Sequence, residues 1–124
     1  MILLMDSRAK TIFCDIDGTL IKHYPPTITT MPDHVSIVLE GTIEKLLEWD
    51  KKGYNIILVS GRRECSREIT TKQLQQLGII YDKLILGIGG GERILINDRK
   101  PNGDKNYATA INLKRDCGIR NINL

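Results

Sequence analysis

The sequence predicts an α/β fold, a three-layer α/β/α sandwich around a mostly parallel sheet. Three observations predict it. Short apolar runs recur at Thr11-Ile12-Phe13-Cys14, Asn55-Ile56-Ile57-Leu58-Val59 and Leu84-Ile85-Leu86, and stretches with helical spacing separate them. Strands alternating with helices imply crossover connections, which parallel pairing requires. The chain has 124 residues, 41% hydrophobic and 27% charged, the composition of one globular domain. We therefore expect a single domain over 1–124, with 21–40 as a flap or loop.

The elements follow in order. Lys10 to Cys14 is the first strand. Lys22 to Glu40 holds Pro25-Pro26 and Pro32 and reads as a loop or short flap, not a helix. Gly41-Thr42 opens a helix in which Ile43, Leu46 and Leu47 follow i, i+3, i+4 spacing, and Gly53 closes it. Asn55 to Val59 is unbroken apolar sequence, as in a strand covered on both faces. Ser60-Gly61-Arg62-Arg63 is a turn. Cys65, Ile69, Leu74 and Leu77 mark a second helix ended by Gly78, and Leu84 to Leu86 a third strand. Glycines 87, 89, 90 and 91 form a loop. Arg93 to Asn97 is expected as a fourth strand, Lys105 to Cys117 as a third helix, and Ile119 to Leu124 as a short fifth strand.

Composition narrows the function classes. Net charge is +3 with scattered basic residues, which suits a small anionic ligand and does not argue for nucleic acid. One Phe, one Trp and four Tyr make no stacking platform for single strands. Cys14, Cys65 and Cys117 are odd in number and far apart, without a Cys-x-x-Cys, and His23 and His34 lie far from them. Zinc is not indicated, and the thiols are expected buried and reduced. Met1 to Met5 is apolar but stops at Asp6, far short of a signal segment or a membrane span. The expected location is cytoplasmic, with no membrane partner.

The most informative feature is Asp15-Ile16-Asp17-Gly18-Thr19-Leu20, directly after the first strand. Residues i and i+2 of a strand share a face, so both carboxylates project from its tip into the same space. Two such charges a few ångströms apart repel and are usually held by a cation or a shared proton. Gly18 permits a sharp turn. An isolated Asp-x-Asp is most often an acidic turn; its placement after a buried strand raises the functional reading. In open parallel sheets ligands bind at the carboxyl ends of strands, which here carry Asp15 and Asp17, then Ser60, then Asn97-Asp98.

Phe13-Cys14-Asp15-Ile16-Asp17-Gly18-Thr19-Leu20 resembles the first motif of the haloacid dehalogenase-like (HAD) hydrolases, mostly magnesium-dependent phosphatases. The resemblance implies a Rossmann-like sheet of the HAD type, and a Mg²⁺-dependent phosphohydrolase cleaving a phosphate monoester, a sugar phosphate being one candidate, through an aspartyl-phosphate. It implies Asp15 as nucleophile and Asp17 as general acid and base, with Mg²⁺ between Asp15, Asp98 and the main-chain carbonyl of Asp17. Ser60 and Gly61 match the second motif, where a hydroxyl and free N–H groups at a helix start hold phosphate; Ser60 also suits a helix N-cap. The family's lysine has no counterpart in Gly87 to Arg93. Lys83, Arg93 and Lys100 are the candidates, with Lys100 ranked first and Arg93 next, each also readable as a solvated surface cation. Asn97-Asp98 replaces the Asp-Asp pair of many relatives, and Asp104 is a candidate second carboxylate or helix cap.

An uncapped member has an open cleft, which admits bulky phosphates or small ones sealed by a homo-oligomer partner. The alternatives are a nucleotide or nucleic-acid end phosphatase, a catalytically weakened phosphate-binding or protein-interaction member, and a phospho-receiver signalling domain. The last needs its aspartate after a third strand, where this chain has only glycines.

Overall fold

The computed structural model describes residues 8–99 and 106–124. The expectations about Met1 to Met5, Lys100 and Asp104 fall outside them. Three parallel strands form the sheet: β1 (Thr11–Asp15), β2 (Asn55–Val59) and β3 (Lys83–Ile85), in the order β1-β2-β3. Register aligns Asp15 with Val59 and Val59 with Ile85, so all three strands end level at their C-terminal tips. Helix α1 (Pro26–Thr29) is a single turn, and α2 (Thr42–Lys51) and α3 (Arg67–Gln76) are the two crossover helices. The α/β class with a parallel sheet is therefore as read.

Alternation along the strands decides where the core lies. Cys14, Ile56 and Leu58 turn to one face and join Leu46 and Trp49 of α2 and Leu74 of α3 in one buried cluster. The stripe of α2 runs through Thr42, Leu46 and Trp49, so Leu47 is left 46% exposed, contrary to its expected place in the core. On the other sheet face Phe13 is 56% and Ile85 41% exposed. Ile119 of the C-terminal tail completes the cluster, its N–H donating to the Glu40 carbonyl at 2.9 Å. That contact demands glycine on both sides: a Cβ on Gly118 would lie 2.3 Å from Glu40 O, and one on Gly41 2.5 Å from Arg120 N.

Residues 22–38 leave and return by antiparallel contacts, Ile21 bridging Val38 and Lys22 N–H donating to Ile37 O at 2.8 Å. Within it, where no helix was expected, Pro26 at the first helical position starts the turn α1. The three C-terminal elements also differ from expectation. Arg93 to Asn97 is no strand, and Ile94, Leu95 and Ile96 are 77%, 65% and 92% exposed. An apolar run becomes a strand only beside a partner, and β1 pairs with β2 alone among the described residues. The described residues of 105–117 form no helix: Ala108, Ile111 and Leu113 do not keep one helical stripe, the Asn and Thr between them are weak helix formers, and Asp116 has φ +63°. Residues 119–121 form a bend and turn, and 122–124 run on without a fifth strand. Cys14 is buried as expected, but Cys65 and Cys117 are exposed because each lies in a turn or tail outside the core stripes.

Candidate active site

Ile16 is fully buried, and that anchors the site. With its side chain driven into the core, Asp15 and Asp17 on either side turn to the opposite, accessible side. Behind them the chain folds tightly: Leu20 and Ile21 N–H groups both donate to Ile16 O, at 2.9 and 3.2 Å, and Gly18 adopts φ +88°. The C-terminal tail closes over this turn. Asp116 N–H donates to Gly18 O at 2.8 Å, and the Asp116 carboxylate accepts from His23 N–H at 2.8 Å.

Each aspartate has its own arginine. Arg93 Nη1 donates to Asp15 Oδ1 at 3.2 Å, and Thr19 Oγ1 to Asp15 Oδ2 at 3.3 Å. The pair is open, with side chains 44% and 33% exposed. Asp17 is gripped harder. Arg62 Nε and Nη2 donate to its two oxygens, both at 2.8 Å, with side chains 8% and 19% exposed. A planar fork on a carboxylate fixes orientation as well as charge. Arg62 Nη1 reaches Thr70 Oγ1 at 3.1 Å and Gln73 Oε1 at 2.8 Å, two polar residues on the inward stripe of α3.

Ser60 follows β2 and is 2% exposed. Its N–H donates to Ile85 O at 2.9 Å and its Oγ accepts from Arg62 N–H at 3.0 Å, a hydroxyl-closed turn that sets the Arg62 backbone. No helix starts here: α3 begins only at Arg67, after a short 3₁₀ turn at Glu64–Ser66. The hydroxyl oxygen thus closes its own turn and does not N-cap a helix. Gly61 lies under the glycine loop, where a Cβ would come within 2.8 Å of Gly89 O, and Gly87 N–H donates to Arg62 O at 2.7 Å.

The structure therefore gathers Asp15, Asp17, Ser60, Gly61 and Arg93. Among the described candidate cations Arg93 reaches Asp15, whereas Lys83 begins β3, at the end of the sheet away from the aspartates. Asp98 is exposed, and no three of the described His, Cys, Asp and Glu residues converge as a metal-holding group. Both Asp17 oxygens lie on Arg62, and both Asp15 oxygens accept longer bonds, from Arg93 and Thr19. As placed, the described Asp15, Asp17 and Asp98 do not meet as a three-carboxylate group. Arg62, Thr70 and Gln73 went unread in the sequence. Their signal was present: two polar residues on the stripe that Leu74 and Leu77 mark as inward need a buried partner. Cys14, one residue before Asp15, has its thiol pushed up to about 12 by burial and then by the Asp15 charge, so it stays protonated.

No helix among the described residues is long and apolar enough to cross a membrane. A search of curated protein sequences gave no match. Among solved structures, a chain of the Pnkp1/Rnl/Hen1 complex is 28% identical over 72% of this chain, with a TM-score of 0.55. This chain spans about a third (32%) of that one's length. A chain from a second structure, titled the Pnkp1/Rnl/Hen1 RNA repair complex, is 31% identical over 64% of this chain and 26% of its own, with a TM-score of 0.54. A structural-genomics target from Vibrio cholerae shares the fold at 22% identity, covering 71% of this chain and 79% of its own, with a TM-score of 0.53. The family model described as haloacid dehalogenase-like hydrolase matches residues 12–86. That match takes in β1 through β3 with both aspartates and both crossover helices, and the chain belongs to the haloacid dehalogenase-like hydrolases.

Proposed function

We propose that this chain is a phosphohydrolase that cleaves a phosphate monoester through an aspartyl-phosphate on Asp15. One observation carries the reading: the two carboxylates at the tip of β1 are held differently, one open and one locked. Asp15, a third exposed and held by the longer bonds from Arg93 and Thr19, is the carboxylate that can turn to meet phosphorus. Arg93 beside it offers a guanidinium that would shift from the carboxylate to the phosphoryl oxygens and draw off their charge. Asp17, in its acid form, gives its proton to the departing oxygen and then, as a base, takes one from the attacking water. Arg62 keeps that carboxylate aimed through both steps. Ser60 and Gly61 shape the turn that brings Arg62 and the glycine loop to the site.

Mg²⁺ is the ion the family resemblance implies, with Asp15, Asp17 and Asp98 as proposed ligands. Because these three do not form one group in the structure, no step above is routed through it. Lys100 stays a proposed phosphate contact.

Phosphate release tests the reading, from a panel holding p-nitrophenyl phosphate, sugar phosphates and a 3′-phosphorylated oligonucleotide, with and without Mg²⁺. Release by the wild-type protein that Asp15→Asn abolishes supports it. No release from any member, or equal release by Asp15→Asn, ends it. A nucleic-acid end phosphatase is the second reading. What favours it is the 28% and 31% identity to chains of an RNA repair assembly. Preference for the 3′-phosphorylated oligonucleotide over the small esters would select it.

A further inference from the structure

The flap and the proposed general acid are joined by an unbroken line of hydrogen bonds. Gln73 Nε2 donates to the Thr29 carbonyl at 2.6 Å, at the end of α1 in the flap. Its Oε1 accepts from Arg62 Nη1, whose guanidinium grips Asp17 through Nε and Nη2. Gln73 is 7% exposed and Thr29 3%, so water competes little for these bonds. Thr70, fully buried, takes the second Nη1 proton and holds the guanidinium in plane.

An amide suits this place by its separate donor and acceptor ends. It must accept from a cation on one side and donate to a carbonyl on the other, and its two ends are fixed relative to each other. We propose that Gln73 is a positioning residue that ties the flap segment 26–30 to the orientation of Asp17 through Arg62. Substrate contacts that settle the flap then settle the acid, so that proton delivery is aligned when the cleft is filled. The inference rests on the reading of Asp17 as the proton donor.

The leaving group separates this role from mere structural support. p-Nitrophenolate departs without a proton, whereas a primary alkoxide needs one, and general acid catalysis contributes about 10²–10⁴-fold where it is needed. For Gln73→Leu, kcat on a primary alkyl phosphate falls about 10-fold or more, a part of that range, while kcat on p-nitrophenyl phosphate and both KM values change less than about 3-fold. Equal losses on the two substrates, or no loss on either, overturn the proposal. Gln73→Glu supplies the control. Its carboxylate still accepts from Arg62 but repels the Thr29 carbonyl, so the alkyl-selective loss persists if the flap link matters and vanishes if only the Arg62 contact does; the second result overturns the link.

Should the wild-type protein release phosphate from no member of the panel above, the functional reading fails by itself, and amide and guanidinium hydrogen exchange judge the network. Gln73→Leu then speeds exchange of the Arg62 Nε–H and of the 27–30 backbone amides together. Unchanged exchange at both, in a variant that melts cooperatively, overturns the proposal.

Discussion

Removing the Arg62 guanidinium is the sharpest perturbation of the site. Arg62→Leu keeps much of the aliphatic stem but leaves the Asp17 carboxylate, the Thr70 hydroxyl and the Gln73 amide oxygen without their donor. Breaking a buried ion pair from one side costs about 3–5 kcal/mol, because the remaining charge is desolvated and unpaired. Asp17 keeps 19% of its side-chain surface and can recruit some water, which places the cost near the lower end, about 3 kcal/mol. For a domain of this size that lowers Tm by roughly 10 °C. Asp17→Asn removes the charge and leaves the shape, so the double variant should regain about 1–2 kcal/mol relative to the sum of the singles. Thermal and urea unfolding followed by circular dichroism reads all four proteins. A Tm for Arg62→Leu within about 2 °C of wild type, or strict additivity in the cycle, would refute the reasoning. Arg67→Ala is the comparison: its partner Glu64 is exposed and it otherwise donates to the Leu84 carbonyl, so its Tm should fall far less than that of Arg62→Leu.

Further outcomes follow from the same structure. Gly118→Ala puts a Cβ 2.3 Å from Glu40 O at φ +78°, while Gly53→Ala at φ +76° meets open space; the first should melt several degrees below the second, since only it adds a clash to the backbone strain. Under native conditions at pH 8 a thiol reagent should modify Cys65 and Cys117 and spare Cys14, whose thiol is buried and held protonated, and all three should react in urea. Cys14 carries a raised folded-state value, from the ordinary 9.0 to about 12, so its contribution is full below pH 9 and is lost as pH climbs towards 12. Unfolding by urea at pH 8 and pH 10.5 checks this: the drop in stability between them should shrink in Cys14→Ala. Arg93→Gln should raise KM for a phosphate monoester about 10-fold with a smaller change in kcat, and Lys83→Gln should change neither. A fall confined to kcat would show that Arg93 is not a ground-state phosphate contact.

The local half of the fold was legible because its signals are local. Asn55 to Val59 is apolar at every position after the first, and Gly53 and Gly78 adopt φ +76° and +74° where the helices were expected to stop. Asp15 and Asp17 followed from strand alternation alone. The C-terminal part failed because Ile94-Leu95-Ile96 announces a need for burial without naming what buries it. That partner is a matter of tertiary register. Arg62 failed for the opposite reason. It sits in a basic pair, Arg62-Arg63, that reads as a solvated turn, and its partners Thr70 and Gln73 come from the next helix. Polar residues on an otherwise apolar stripe were the readable clue. The cysteines were misjudged by a habit of composition: a free thiol is usually buried, but Cys65 and Cys117 lie in turns where no stripe draws them inward.

The covalent step on Asp15 is open to direct capture. Wild-type protein mixed with excess phosphate monoester and quenched into borohydride should yield, on peptide mass spectrometry, a reduced side chain at position 15, because an acyl-phosphate is reducible and a free carboxylate is not. Position 17 should stay unmodified, and Asp15→Asn should show no reduction anywhere. Turnover with no reducible intermediate at position 15, or reduction at position 17 instead, would contradict the assignment of nucleophile and acid on which the account stands.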